Sequence, residues 1–168
     1  MKKYWTVQNL CFGGVLAALV FVATRFLVLP VPMTNGYVHL GDALVLLGAA
    51  LCGPVAVPAG ALGSMLSDLL SGYTVYALPT FIIKGLVALV ALCAFRQHRL
   101  WLRALLLLAA EAVMVAGYFV CEAFLMGMGL GTAVADLGGN AIQGLSGVVL
   151  ALALSPVAAQ VRKAVQRG

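Results

Sequence analysis

Charged side chains occur within stretches of the chain that are otherwise apolar. The residues concerned are the five acidic residues and two of the basic ones: Asp42, Asp68, Glu111, Glu122, Asp136, Arg25 and Lys84. A charge at the centre of a bilayer costs about 2.5–3.5 kcal/mol on insertion scales. Charges at that depth are therefore expected to pair with one another, to line a polar cavity, or to bind a polar ligand.

Helical spacing brings several of these polar residues onto shared faces. Asp136, Asn140 and Gln143 follow one another at i, i+4 and i+7, so they lie on one side of a helix. With a rise of about 1.5 Å per residue, all the charges except Glu111 fall in the outer half of their predicted spans. The pattern predicts a polar pocket that opens to the outside, with Glu111 at its floor or hydrogen-bonded to another helix.

Each of these residues also has a purely structural interpretation. Arg25 is long enough to reach the outer headgroups, and Asp42 is placed where it would cap a helix. Lys84 would form an internal ion pair with Asp68 or Asp42. Amides such as Asn140 often hydrogen-bond between membrane helices.

The composition requires membrane-spanning elements to position this chemistry. Hydrophobic residues make up 64% of the 168 residues, charged residues only 9%, and the mean hydropathy is +1.10. Soluble domains are about 45–50% apolar and about 25% charged, so a soluble enzyme and a nucleic-acid-binding module are excluded. We predict an all-α integral membrane protein, a single domain over 1–168 whose six transmembrane helices span about 8–29, 41–53, 55–71, 79–95, 102–126 and 134–157.

The other eight basic residues predict the orientation. They fall in three clusters: Lys2 and Lys3; Arg96, Arg99 and Arg103; Arg162, Lys163 and Arg167. Such clusters beside apolar spans mark the cytoplasmic side of a membrane. Both termini are therefore expected in the cytoplasm.

Small residues in the first span indicate close helix packing. Gly13 and Ala17 form one small-xxx-small pair, and Gly14 and Ala18 form a second. Such pairs let another helix approach closely. The approaching helix would belong either to the chain's own bundle or to a partner protein.

Motifs of metal, nucleotide and nucleophile chemistry are not found in the sequence. There is no G-x-x-x-x-G-K-[ST], no H-E-x-x-H and no G-x-S-x-G, and His39 with Asp42 forms only a weak H-x-x-D. We therefore predict no catalytic residue, no metal and no cofactor.

Several segments together resemble a known family. Y-V-H-L-G-D, G-S-M-L-S-D-L-L-S-G-Y, P-T-F-I-I-K-G, G-Y-F-V-C-E and G-N-A-I-Q-G resemble the substrate-binding S components of energy-coupling factor (ECF) transporters. The likeness is greatest to the riboflavin-type or hydroxymethylpyrimidine-type branch. It implies a multi-pass protein of a prokaryotic plasma membrane that captures a water-soluble vitamin or precursor beneath a lid formed by residues 31–39.

The resemblance also implies partners. A transmembrane coupling subunit would dock on Gly13, Gly14, Ala17 and Ala18, and two ATPase subunits would complete the importer. The predicted substrate-binding residues are Arg25, His39, Asp42, Asp68, Tyr73, Lys84, Tyr118, Glu122, Asn140 and Gln143.

The residue types in the predicted pocket also limit the substrate. A surplus of carboxylates and amides favours a ligand rich in N–H donors, and tyrosines favour a flat ring. A hydroxymethylpyrimidine-like, thiamine-like or pyridoxine-like ring fits best, with riboflavin or pantothenate as alternatives. An intramembrane enzyme and a purely structural membrane subunit are the competing classes.

Overall fold

The computed structural model describes residues 4–30 and 37–165. Six α-helices follow one another along the chain: α1 (Val7–Phe26), α2 (Gly41–Cys52), α3 (Ala56–Leu70), α4 (Ala77–Phe95), α5 (Leu100–Val120) and α6 (Gly129–Val165). Single 3₁₀ turns precede α3 (Gly53–Val55) and α4 (Thr74–Tyr76), and a π-helical turn (Cys121–Leu125) continues α5.

A short hairpin interrupts the helical pattern after α1. Strand β1 (Val28–Pro30) pairs antiparallel with β2 (Tyr37–His39), with Val28 opposite His39. The helix therefore ends at Phe26, before the predicted boundary at 29, because the residues ahead of Pro30 take an extended conformation that favours strand pairing. The predicted lid over 31–39 includes β2, and its residues 31–36 lie outside the described residues.

The helices pack in a closed ring, and α2 is the member with the most helix neighbours. The order around the ring is α1, α3, α4, α5, α6 and α2, and α2 also contacts α3 and α4. Most of α2 is buried, and Val45, Leu46, Val87 and Leu107 are among the apolar side chains that pack in the core without solvent exposure. A helix that is apolar all round belongs in the interior of a bundle, which explains the central place of α2.

The last helix is longer than predicted. It begins at Gly129 and ends at Val165, whereas the sequence predicts 134–157. Pro156 lies inside it and cannot donate a backbone hydrogen bond to the carbonyl four residues earlier. Ser155 Oγ donates to that carbonyl, on Leu152, at 2.9 Å, so the helix continues past the proline without an unsatisfied acceptor.

The other helix ends agree with the sequence to within a few residues. Within 4–30 and 37–165, five stretches are long and apolar enough to cross a membrane, because α2 and α3 with the turn between them form one stretch, Gly41–Leu70. The structure thus has several apolar helices of a multi-pass membrane protein. The division of Gly41–Leu70 into two spans stays a prediction.

Candidate functional site

A polar cavity opens at the end of the bundle where α3 and α5 end and α4 begins. Its volume is about 200 Å³. Most of its lining is polar or aromatic: His39, Asp68, Tyr73, Tyr76, Thr80, Tyr118, Glu122, Asp136, Gly139, Asn140 and Gln143. Seven of the ten predicted substrate-binding residues are in this lining, and Arg25, Asp42 and Lys84 are not.

Hydroxyl groups of α4 and its preceding turn organise one wall of the cavity. Tyr76 Oη donates to Glu122 Oε1 at 3.3 Å. Thr80 Oγ1 and Tyr118 Oη lie 2.9 Å apart and share a hydrogen bond. Tyr76 and Tyr118 also contact each other through their rings, 6.4 Å between centroids. These contacts hold two tyrosine rings beside the acidic groups.

Two carboxylates of the lining each keep one oxygen that no described residue hydrogen-bonds. Asp68 Oδ2 and Glu122 Oε2 are buried and have no hydrogen-bond partner among the described residues. No lysine or arginine lines the cavity within the part of the chain that the structure describes. A buried acceptor without a partner costs about 1–3 kcal/mol, so these two atoms are suited to receive donors from a ligand.

Lys84 and Asp42 lie beneath the cavity and form an ion pair with each other. Lys84 Nζ contacts Asp42 Oδ1, and both side chains are almost fully buried. Of the two partners that the sequence allows for Lys84, the structure thus selects Asp42. Asp42 Oδ2 accepts a second hydrogen bond, from Gln143 Nε2 at 2.7 Å.

His39 lies at the end of β2 and faces the cavity. Its Nδ1 accepts a hydrogen bond from the Gly41 backbone N–H at 3.2 Å. Burial lowers the pKa of His39 to about 4, and Lys84 adds to this effect, while the negative charge of Asp42 opposes it. The ring is therefore neutral at physiological pH, and its remaining proton is on Nε2, which makes that atom a donor.

Arg25 is placed away from this group. Its side chain is exposed near the end of α1, and its guanidinium lies 5.5 Å from the centre of the Phe26 ring. This position agrees with the structural alternative, in which Arg25 extends to the headgroup region.

The cavity also contains residues that the set of predicted binding residues omits. Thr80 and Gly139 are the clearest, because neither carries a charge that draws attention. A signal for Thr80 was present: Thr80 and Lys84 are spaced i and i+4, so they share one face of α4.

The two small-residue pairs of α1 point in different directions. Gly13 is buried, and a Cβ on it would lie 2.5 Å from Val55 Cγ1; the backbone of Ala17 contacts Gly63 of α3. Gly14 has nothing within 4 Å of a Cβ, and Gly14 and Ala18 are both exposed. One pair therefore packs within the chain, and the other is open to the surroundings.

Metal binding finds no support in the described residues. No group of three or more His, Cys, Asp or Glu side chains within 4–30 and 37–165 is arranged to hold a metal ion.

Comparison with known proteins relates most of the chain to a transporter family. The family model described as ECF-type riboflavin transporter, S component, matches residues 4–161. The thiamine precursor transporter HmpT of Lactococcus lactis subsp. cremoris is 32% identical over 153 residues, which cover 90% of this chain and 87% of HmpT. An uncharacterized protein of Pyrococcus woesei is 35% identical over 133 residues, 78% of this chain and 88% of that protein.

A solved structure shares the fold. The S component for biotin from an ECF-type ABC transporter superposes with a TM-score of 0.62, covering 97% of this chain and 95% of the other. The two sequences are 14% identical, so the likeness concerns the fold and not the ligand.

Proposed function

Because the chain belongs to the family of ECF-type riboflavin transporter S components, we propose that it binds a thiamine precursor of the hydroxymethylpyrimidine type in the cavity described above. The family is one of transporter subunits, not of enzymes. Within it, the finer assignment of substrate rests on the chemistry of the cavity.

The observation that carries the proposal is the surplus of hydrogen-bond acceptors in the cavity. Asp68 Oδ2 and Glu122 Oε2 have no protein donor among the described residues, and Lys84, the nearest buried cation, is paired with Asp42. An aminopyrimidine offers an exocyclic amino group and a ring nitrogen that gains a proton beside a carboxylate. Donors of this kind match carboxylate oxygens in charge and geometry.

Size supports a single-ring ligand. Sites for drug-sized ligands are typically about 300–1,000 Å³, and this cavity is about 200 Å³. Tyr76 and Tyr118 offer aromatic surface on which a flat ring can stack. The HmpT relative, named as a thiamine precursor transporter, supports the same class.

Riboflavin is the second candidate, because the family model carries its name. Its three fused rings and ribityl chain need more space than the cavity offers. Its flavin ring also presents more carbonyl acceptors than N–H donors, and these would face the carboxylates of Asp68 and Glu122 unfavourably.

The orientation in the membrane is part of the same proposal. We propose six spans with both termini in the cytoplasm of a prokaryotic cell, so that the cavity faces outward. The cluster Arg96, Arg99 and Arg103, which extends from the connection after α4 into the first turn of α5, then lies inside, in agreement with the distribution of basic residues. An outward cavity is the arrangement needed for capture of an external substrate.

Partner docking is proposed on the exposed face of α1. Gly14 and Ala18 offer a smooth surface to a helix of a transmembrane coupling subunit, which two ATPase subunits would drive. Gly14→Leu is expected to leave ligand binding unchanged and to prevent co-purification with the ECF module. Normal assembly and uptake by this variant would contradict the docking assignment.

Thermal stability of the detergent-purified protein with a ligand panel tests the proposed substrate. The panel contains hydroxymethylpyrimidine, thiamine, pyridoxine, riboflavin, pantothenate and biotin. A ligand at 1,000 times its dissociation constant stabilises the folded state by about 4.1 kcal/mol. We expect hydroxymethylpyrimidine to give the largest shift; a larger shift with riboflavin would overturn the proposed substrate in favour of the second candidate.

A further inference from the structure

We propose that Gln143 is a positioning residue: its side-chain amide ties the β1–β2 hairpin to the buried ion pair beneath the cavity. Gln143 belongs to α6, whereas the hairpin connects α1 to α2. The tie therefore joins segments that are distant in sequence and that meet beside the site.

Both ends of the amide are engaged. The His39 backbone N–H donates to Gln143 Oε1 at 3.4 Å, and Gln143 Nε2 donates to Asp42 Oδ2 at 2.7 Å. Gln143 is buried, with 5% of its surface exposed. A neutral amide is the side chain that supplies an acceptor and a donor at once, so one residue satisfies both neighbours.

The lower end of the tie is fixed by the ion pair. Asp42 Oδ1 is held by Lys84 of α4, and Lys84 Nζ also contacts Met114 Sδ of α5 at 3.0 Å. A buried ion pair costs several kcal/mol to break by removing one partner. The Gln143 amide therefore connects a group of buried side chains from α2, α4, α5 and α6 to strand β2 of the hairpin.

This arrangement assigns Gln143 a role different from that of its neighbour Asn140. Both residues line the cavity on α6, but none of the hydrogen bonds that join α6 to the hairpin in the described structure involves Asn140. Gln143 acts on a ligand through the position of His39, which lies at the cavity, whereas Asn140 would act on a ligand directly.

The tie should appear as protection of the hairpin in ligand-free protein. A net hydrogen bond is worth about 1 kcal/mol, or about fivefold in an opening equilibrium. Gln143→Met keeps the length and apolar packing of the side chain and removes both hydrogen bonds. Hydrogen–deuterium exchange of the segment 37–40 is expected to be about fivefold faster in this variant.

Asn140→Leu is the matched control, since it also replaces a cavity-facing amide of α6 by an apolar side chain of similar size. It should leave exchange of 37–40 unchanged. Exchange within α4 reports whether each variant remains folded. If Gln143→Met does not fold, Gln143→Asn is tested in its place. The shorter amide of asparagine cannot reach both the His39 N–H and Asp42 Oδ2, so faster exchange of 37–40 is again expected.

A second measurement, the dissociation rate of hydroxymethylpyrimidine, rests on the proposed function. Gln143→Met should release the ligand severalfold faster, with a smaller change in the association rate. Equal exchange of 37–40 in wild type and Gln143→Met would overturn the tie itself. Faster exchange without any ligand binding in the wild type would instead support the tie and contradict the proposed substrate.

Discussion

Two groups of acidic side chains lie close together in this bundle and differ in whether the protein satisfies them. Asp42 is fully buried, and both its oxygens are engaged, by Lys84 and by Gln143. Asp68 and Glu122 line the cavity, and each keeps one buried oxygen without a partner in the described part of the chain. Asp42, with its internal partners, holds helices together, whereas the unpartnered oxygens of Asp68 and Glu122 remain available to a ligand.

Glu111 belongs to neither group. Both its oxygens are buried without a partner among the described residues, and it is not in the cavity lining, so the expected floor position and hydrogen bond are not found.

The largest effect is expected from breaking the satisfied pair. Lys84→Met leaves Asp42 as an uncompensated buried charge, which destabilises a protein by about 3–5 kcal/mol. Thermal unfolding of the detergent-purified variant measures this loss. The double variant Lys84→Met with Asp42→Leu removes both charges and should recover most of the stability; a double variant as unstable as the single one would contradict the pairing.

Substitution of Glu122 or Asp68 should instead weaken ligand binding without lowering the stability of the ligand-free protein. Glu122→Gln removes a carboxylate that is proposed to accept a hydrogen bond from the ligand, and hydrogen bonds to charged groups are worth about 1.5–3 kcal/mol. Hydroxymethylpyrimidine affinity should therefore fall about 10- to 150-fold by calorimetry, while the melting temperature of the ligand-free protein stays the same or rises. Asp68→Asn is expected to lower the affinity in the same way, again without lowering the melting temperature.

The response to pH separates His39 from both groups. Its pKa of about 4 in the folded protein lies below the usual value near 6.5, so the neutral form stabilises the fold above about pH 6.5. That contribution is lost as pH falls from about 6.5 to 4, because the unfolded chain takes up the proton first. The slope is at most about 1.4 kcal/mol per pH unit.

His39→Gln isolates this contribution from that of the carboxylates. The melting temperature of the variant should fall less steeply than that of the wild type between pH 6.5 and 4. Parallel curves for the two proteins would show that His39 does not titrate in this range.

The smallest effect is expected at Arg25. Its exposed side chain contacts neither acidic group, and surface substitutions usually change stability by less than about 0.5 kcal/mol. Arg25→Ala should bind hydroxymethylpyrimidine within about twofold of the wild type. A large loss of affinity would place Arg25 in the site after all.

The sequence predicts the helices well where apolar runs are continuous, and the spacing on α6 predicts a polar face. It does not predict the hairpin at Val28, because three-residue strands carry no periodic signal. It leaves the partner of Lys84 open between Asp68 and Asp42, since that choice depends on how α2 and α4 pack. Likewise, only the packed structure separates the inward Gly13 from the outward Gly14.

The end of α6 also could not be predicted from local sequence rules. Pro156 marks a helix boundary when local rules are applied, yet α6 continues because Ser155 supplies the missing donor to Leu152. Compensation by a neighbouring side chain is visible only once the backbone path is known.

The most direct test of the account measures binding and folding in the same variant. Asp68→Asn combined with Glu122→Gln removes both unsatisfied carboxylates and leaves the Lys84–Asp42 pair intact. The account predicts that calorimetry detects no hydroxymethylpyrimidine binding, while the melting temperature of the ligand-free protein is at least that of the wild type. A variant that binds the ligand as well as the wild type, or one that unfolds, would contradict the claim that these carboxylates serve the ligand and not the fold.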